Sequence, residues 1–173
     1  HALTGATRIL EAGLTQARTL AMTQNAYVGF DYGSVETNTF QTVTGFQLFL
    51  CTNENAVVAD ALAALSGSSK TAALDEDVFG IIPAAPYQRL TGHVRLGYIR
   101  ENDIASPSPT FHNSVTLFFR PDGSVWSWDD TRAHYLCVYT KERFARDTGS
   151  EPLSRLLRID LATGLATLIG GAP

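Results

Sequence analysis

The chain has 173 residues, a length that suits one domain. Its 13 Lys and Arg against 17 Asp and Glu give a net charge of −4, which argues against a general nucleic-acid binder, because such proteins carry a basic surface. Apolar residues make up 45% of the chain, so the composition predicts a packed domain and excludes an intrinsically disordered one.

The first 25 residues predict one helix, because apolar side chains recur at spacings of three and four. The predicted packing face consists of Leu3, Ala6, Leu10, Leu14, Ala17 and Ala21. Gly13 interrupts this stripe, so another segment can approach the helix backbone there. Ile9 and Leu20 widen the stripe and suit either the core of this domain or a contact with a neighbouring subunit. The first residues lack a strong N-cap, so we expect the natural helix to continue upstream, and we give His1 no role.

Residues 26–173 predict a β-rich part, because β-branched and aromatic runs alternate there with turn residues. The predicted strands are 27–32, 39–44, 46–52, 94–99, 115–120, 124–128, 134–140, 156–160 and 166–169. Pro121-Asp122-Gly123 and Ala162-Thr163-Gly164 predict two hairpin turns. Connections this short favour antiparallel pairing.

The stretch 53–87 differs from its surroundings and predicts an insertion between strands. Residues 55–65 are rich in Ala and Leu and predict a short helix, and Pro83 and Pro86 break regular structure. We expect this insertion to be exposed at the surface.

The two cysteines, Cys51 and Cys137, lack the spacing of a zinc site. Two interpretations stand. One is a disulfide, which would imply an oxidising compartment, and the other is two separate buried thiols on strands.

Catalytic and metal-binding chemistry has little support in the sequence. The acidic candidates are Asp75, Glu76, Asp77, Asp129 and Asp130, and we expect them to be solvated loop charges. The histidines His93, His112 and His134 are far apart along the chain, and no Gly-x-Ser-x-Gly elbow or phosphate-binding glycine motif occurs. Asp122 to Asp130 gathers three carboxylates in a spacing that matches no calcium-loop signature. The sequence therefore predicts no catalytic residue, no cofactor and no metal.

Trp126 and Trp128 alternate along one predicted strand, so both rings fall on one face. Paired rings of this kind either bind a ligand by stacking or cover a sheet face. They are the candidate ligand platform of this chain.

Three blocks of sequence together resemble the minor pseudopilins of the GspH/FimT type. The helix end, with Ala17-Arg18 before Asn25, runs at once into the strand Tyr27-Val28-Gly29-Phe30, as at the family's helix-to-strand junction. The segment Val115 to Ser124 is similar to its strand and Pro-Asp-Gly turn, and Leu157 to Gly164 to its closing hairpin. The blocks occur in the family's order and span nearly the whole chain.

The resemblance implies an α+β pilin-like domain over residues 1–173: a long N-terminal helix on an antiparallel sheet or small sandwich of seven to nine strands. It implies a non-catalytic structural subunit of a type II secretion or type IV pilus-like assembly. Its partners would be other pilin-like subunits, reached through the helix, and the inner membrane, reached through an apolar segment upstream of this sequence. The globular part would lie in the periplasm or in an extracytoplasmic filament.

Some members of that family bind DNA through a basic C-terminal region. The corresponding candidates here are Arg143, Arg146, Arg155 and Arg158. The net charge of −4 weighs against nucleic acid as a partner. The alternative from another class is a periplasmic or surface ligand-binding module that uses the Trp126 and Trp128 face, with an enzyme as the third candidate.

Overall fold

The computed structural model describes residues 2–32, 45–65, 76–90, 94–104, 111–112, 115–127, 130–140 and 154–169. The predicted strand 39–44 lies outside these ranges. The described helices are α1 (Ala2–Gln24), α2 (Asn55–Leu65), α3 (Glu76–Phe79) and a 3-10 helix (Glu101–Asp103). The described strands are β1 (Val28–Tyr32), β2 (Gly45–Cys51), β3 (Ile81–Pro83), β4 (Gln88–Arg89), β5 (Val94–Ile99), β6 (Phe111–His112), β7 (Val115–Phe119), β8 (Val125–Trp126), β9 (Ala133–Thr140), β10 (Ser154–Asp160) and β11 (Ala166–Leu168).

The strands form two antiparallel sheets. The first has the order β3-β2-β1-β7-β8, with β4 also paired to β2, and the second has the order β11-β10-β9-β5-β6. Both predicted hairpin turns occur, since β7 pairs with β8 and β10 with β11. The α+β class and the antiparallel pairing predicted from the sequence are confirmed.

Helix α1 packs on the inner faces of both sheets. The six residues of the apolar stripe are each 0–1% exposed and belong to the main core cluster. They meet Phe30 of β1, Leu48 of β2, Val138 of β9 and Leu157 of β10 in that cluster. Removing each leucine side chain from water stabilises the fold by about 1.5–3 kcal/mol. The helix is thus the element that joins the two sheets into one core.

Helix α1 ends at a left-handed residue. Asn25 has a φ of 49°, and the N–H of Ala26 donates to the carbonyl oxygen of Ala21 at 3.1 Å. This bond spans five residues and is the one that closes a Schellman motif, which satisfies a carbonyl the last helical turn leaves open. Asn tolerates the left-handed region better than most residues, so the sequence stops the helix here and turns the chain directly into β1.

The described parts of the insertion, 53–65 and 76–87, contribute to a second core, which corrects the prediction that this segment is exposed at the surface. Helix α2 occupies the predicted residues 55–65, but Val58 and Leu62 on it, and Phe79 on α3, are buried. They pack on Phe118, whose ring centroid lies 5.1 Å from that of Phe79. Inner-face and outer-face residues alternate along β7, so Phe118 points away from α1. The insertion therefore covers the outer face of the first sheet.

Candidate functional site: helix α1 and the turns packed on it

The side of α1 opposite the core faces solvent. Its exposed residues are small or polar, and Met22 is the largest exposed apolar side chain among them. Ile9 and Leu20 are partly buried and pack against the domain's own core. The helix therefore has one face fully used by the domain and one long, weakly charged face that the described residues leave open.

The two hairpin turns meet the helix near its C-terminal end. Arg18 donates a hydrogen bond from Nε to the carbonyl oxygen of Thr163 at 2.8 Å. Gly123 has a φ of +89°, and a Cβ there would lie 3.0 Å from the Sδ of Met22. Gly164 has a φ of +72°, and a Cβ there would lie 2.0 Å from the carbonyl oxygen of Gly123. Both turns thus need glycine, because of the backbone conformation and the close approach. The three blocks that carried the family resemblance converge at this junction.

An aspartate shapes each turn. The Asp122 carboxylate accepts hydrogen bonds from the N–H and hydroxyl of Ser124, at 2.9 and 2.6 Å. The Asp160 carboxylate accepts from the N–H and hydroxyl of Thr163, at 3.0 and 3.1 Å. These bonds lower the pKa of both carboxyl groups, because they favour the charged form. Both aspartates are therefore structural residues of the turns that support α1.

A groove of about 390 Å³ runs beside α1, between the helix and residues 85–88. It exists because Gly13 and Ala12 are small. A Cβ at Gly13 would lie 2.4 Å from the ring of Phe46, so the helix backbone rests directly on that ring. The ring of Phe46 in turn stacks on Phe30 at 4.7 Å. The close approach predicted at Gly13 is therefore made by β2.

A buried polar network links the two sheets behind the helix. His134 of β9 is fully buried, and its Nε2 lies 3.2 Å from the hydroxyl of Tyr32 on β1. Its Nδ1 lies 2.8 Å from Oδ2 of Asp130 and 3.2 Å from Oγ of Ser127. The backbone N–H of Glu101 donates to the other carboxylate oxygen of Asp130 at 3.0 Å. The expectation that Asp130 is a solvated loop charge was wrong, because this network buries it.

This network does not have the geometry of a nucleophilic triad. In such a triad the serine and the aspartate contact opposite nitrogens of the histidine, so that the imidazole can accept the serine proton. Here Ser127 and Asp130 meet the same nitrogen, Nδ1, and Tyr32 takes the other. Asp130 and His134 are four residues apart in the sequence, but nothing in the sequence shows that Tyr32 is the third member of this hydrogen-bond network.

Of the two interpretations of the tryptophan pair, the structure favours the covered sheet face for Trp126. Trp126 is only 7% exposed, and its ring meets Phe118 edge-on at a centroid distance of 5.9 Å. It belongs to the second core, under the insertion. Trp128 lies outside the described residues. The Trp126 ring therefore covers a sheet face and presents no open surface for stacking.

The two cysteines are separate, which excludes the disulfide considered above. Both thiols are free and buried. Cys51 lies in the second core, on the first sheet, and Cys137 packs with Tyr139 and Leu156 on the second sheet. Burial raises the pKa of the Cys51 thiol to about 12. Both cysteines are core residues of two different clusters.

The other candidate residues form no site within the part of the chain that the structure describes. There, no group of three or more His, Cys, Asp or Glu side chains could hold a metal ion. Arg155 and Arg158 are partly buried on β10, with Arg158 Nη1 3.6 Å from Oδ2 of Asp160. Arg143, Arg146, Asp75, Asp129 and His93 lie outside the described ranges. None of the described helices has the length and apolar character needed to cross a bilayer.

Comparison with solved structures gives two matches of fold. One is the crystal structure of the type IV minor pilin FimU of Pseudomonas aeruginosa strain PAO1, with a TM-score of 0.52, 14% identity, and coverage of 96% of this chain and 87% of that one. The other is the minor pseudopilin EpsH of the type 2 secretion system of Vibrio cholerae, with a TM-score of 0.50, 13% identity, and 98% coverage of both chains.

No protein-family model matches the chain, and no curated protein matches it significantly. At 13–14% identity, the two structural matches establish the fold. They extend over nearly the whole chain, and both belong to the class that the sequence blocks resembled. This chain therefore has the GspH/FimT-type minor pseudopilin fold.

Proposed function

We propose that this protein is a non-catalytic structural subunit, similar to a minor pseudopilin, of a type II secretion or type IV pilus-like assembly. The observation that carries the proposal is helix α1. One face of it is buried against both sheets, and the described residues leave the opposite face open from Thr4 to Gln24.

The proposal assigns the open face of α1 to contacts with other pilin-like subunits. Ala12, Gln16 and Thr19 lie on it, and small side chains there allow another helix to come close. The groove at Gly13 lies beside the same face. The proposal further places an apolar anchor upstream of Ala2, so that the domain stands in the periplasm or in a filament outside the cytoplasm.

A cysteine crosslinking experiment in the native host tests the helix contact. Ala12→Cys places a thiol on the open face of α1, and Ala63→Cys places one on the exposed side of α2 as a matched control. The native Cys51 and Cys137 are buried and should not react with the crosslinker. We expect Ala12→Cys, and not Ala63→Cys, to give a covalent product with another pilin-like protein, identified by mass spectrometry.

Equal crosslinking at both positions, or none at Ala12, would contradict the helix contact. The membrane anchor has its own test, because the gene can be read upstream of the codon for Ala2. We expect a short basic leader, a cleavage site and about 20 apolar residues that continue into the helix. A plain signal peptide there would remove the physical basis for assembly through the helix.

The ligand-binding alternative loses its main argument, since Trp126 is buried in the second core.

A further inference from the structure

Strand β11 ends the second sheet, and no strand among the described residues pairs with its outer edge. Asp160 N–H donates to the carbonyl oxygen of Leu165 at 3.0 Å, and Ile169 N–H donates to that of Leu156 at 2.9 Å. Since backbone groups alternate in direction along an antiparallel strand, residues 165, 167 and 169 point their N–H and C=O groups towards β10.

It follows that Ala166 and Leu168 point their backbone groups away from β10. The N–H and C=O groups of these two residues, four groups in all, have no hydrogen-bond partner among the described residues. They form a short row of donors and acceptors ready to pair with another strand.

The side chains of this edge carry none of the usual protection. Natural edge strands avoid pairing with other chains by being very short or by means of charged residues, proline or bulges, and β11 has only its shortness. Residues 165–169 read Leu-Ala-Thr-Leu-Ile, without charge or proline. Leu165 is 54% exposed, and Leu168 and Ile169 are each 45% exposed. An uncharged, apolar and open edge of this kind fits another extended strand.

A second copy of the same edge is complementary to it. If two β11 strands pair antiparallel about a two-fold axis at Thr167, the outward groups of Ala166 meet those of Leu168 of the other copy. Leu165 then lies opposite Ile169 of the other copy, and Thr167 lies opposite itself. Each of these cross-strand pairs is favourable and no like charges face each other. A two-fold contact of this kind closes on itself, as in most homodimers.

We propose that β11 is a dimerisation edge, through which two copies pair strand to strand in this register and join their second sheets into one. The contact is short. Because it extends over about five residues of each chain, it buries well under the area of a stable interface and makes the association weak and concentration-dependent. The inference goes beyond the proposed function and does not depend on it.

Hydrogen exchange measured by NMR gives a test that needs no variant. The Thr167 and Ile169 amides face β10 and should be protected at every concentration. The Ala166 and Leu168 amides face the outer edge. They should become protected from exchange only when the protein concentration is raised from micromolar to millimolar. Sedimentation velocity on the same samples should show the shift from monomer to dimer.

Charge variants at the two-fold axis make the test specific. Thr167→Lys and Thr167→Glu each place like charges opposite one another, so each variant alone should stay monomeric. An equal mixture of the two should associate, because the charges are then opposite. Ile82→Lys, on the exposed edge strand β3 of the first sheet, is the matched control and should dimerise like the unaltered protein.

The inference is overturned if the protein stays monomeric at millimolar concentration. It is also overturned if Ala166 and Leu168 amides never change their protection, or if a dimer forms that Thr167→Lys leaves intact.

Discussion

The side chain of Arg18 on the N-terminal helix donates a hydrogen bond to the backbone carbonyl of Thr163, which lies 145 residues later in the closing hairpin, at a distance of 2.8 Å. The first element of the chain thus holds one of its last turns. Gly123 and Gly164 pack under this contact, so the two turns and the helix form one unit.

Leu14→Asp should destabilise the domain severely. Leu14 is at the centre of the buried stripe, where a charge has neither water nor a partner. We expect a loss of about 4 kcal/mol or more in the free energy of unfolding, measured by urea denaturation, if the domain folds at all. Thr15→Asp puts the same charge at the exposed neighbouring position and is the control. An unchanged melting temperature of Leu14→Asp would show that another face of the helix is buried.

Gly13→Ala and Gly5→Ala should have opposite effects, although both glycines lie inside α1. A Cβ at Gly5 meets nothing within 4 Å, whereas one at Gly13 would lie 2.4 Å from the packed ring of Phe46. Gly5→Ala should stabilise the protein by about 0.5–1 kcal/mol through helix propensity. Gly13→Ala should destabilise it by about 1–2 kcal/mol, because the ring must leave its stack on Phe30. Thermal unfolding of both variants measures the difference, and equal shifts would refute it.

His134→Leu should cost about 1–3 kcal/mol of stability, because the buried carboxylate of Asp130 loses its nearest hydrogen-bond partner and keeps, among the described residues, only the Glu101 N–H and the Ser127 hydroxyl. Tyr32→Phe removes the hydroxyl bond to Nε2 and should cost about 0.5–1.5 kcal/mol. A double-mutant cycle between Tyr32 and His134 measures their coupling across the two sheets. Additive effects would mean that the 3.2 Å contact contributes nothing to stability.

Stability should fall in acid partly through Asp122 and Asp160. The pKa of each carboxyl is lowered from 3.8, by the side-chain and backbone bonds of Ser124 for Asp122 and by the backbone and side-chain bonds of Thr163 for Asp160. A lowered folded-state pKa contributes stability that is present above the unfolded-state pKa of about 4 and is lost as pH falls through the folded-state pKa.

Asp122→Asn and Asp160→Asn should therefore be less stable than the unaltered protein at pH 7 and nearly equal to it at the acid end. Urea denaturation over this pH range gives the comparison. Asp60→Asn, on the exposed side of α2, removes one charge without touching either turn and serves as the control. The same difference at every pH would rule out this role of the carboxylates.

Thiol-reactive reagents should leave the native protein unlabelled near pH 8. Both thiols are buried, and burial raises the pKa of Cys51 to about 12, so its reactive thiolate form is rare. After unfolding without reductant, two thiols should react for each chain. Titration in denaturant counts them directly, and a count of zero would show that a disulfide forms after all.

The sequence predicts α1, the longer described strands and both glycine turns well, because each depends on local patterns. The spacing of leucines and alanines identifies the helix, and Pro121-Asp122-Gly123 identifies a turn without reference to the rest of the fold. Strands of two or three residues, such as β3 and β4, carry too little pattern of their own. They form because the edge of β2 offers backbone partners for them.

Long-range contacts explain what the sequence does not show. Asp130 looks exposed because polar residues surround it along the chain, yet His134 and the backbone N–H of Glu101 bind its carboxylate in a buried network. In the same way, the alternation of Trp126 and Trp128 predicts a shared face but not that the insertion covers Trp126. Which side chains are buried depends on how distant segments pack together, and the pattern within one segment does not show that packing.

The position of β1 between β2 and β7 sets the order in which the domain can be completed. One edge of β1 pairs with β2 a short distance along the chain, but its other edge waits for β7, whose first residue is Val115. Until β7 has been synthesised, the backbone groups along one edge of β1 have no strand to pair with. Contacts this distant slow folding and expose the chain to aggregation. A chaperone that shields β1 during this interval would raise the yield of the folded domain.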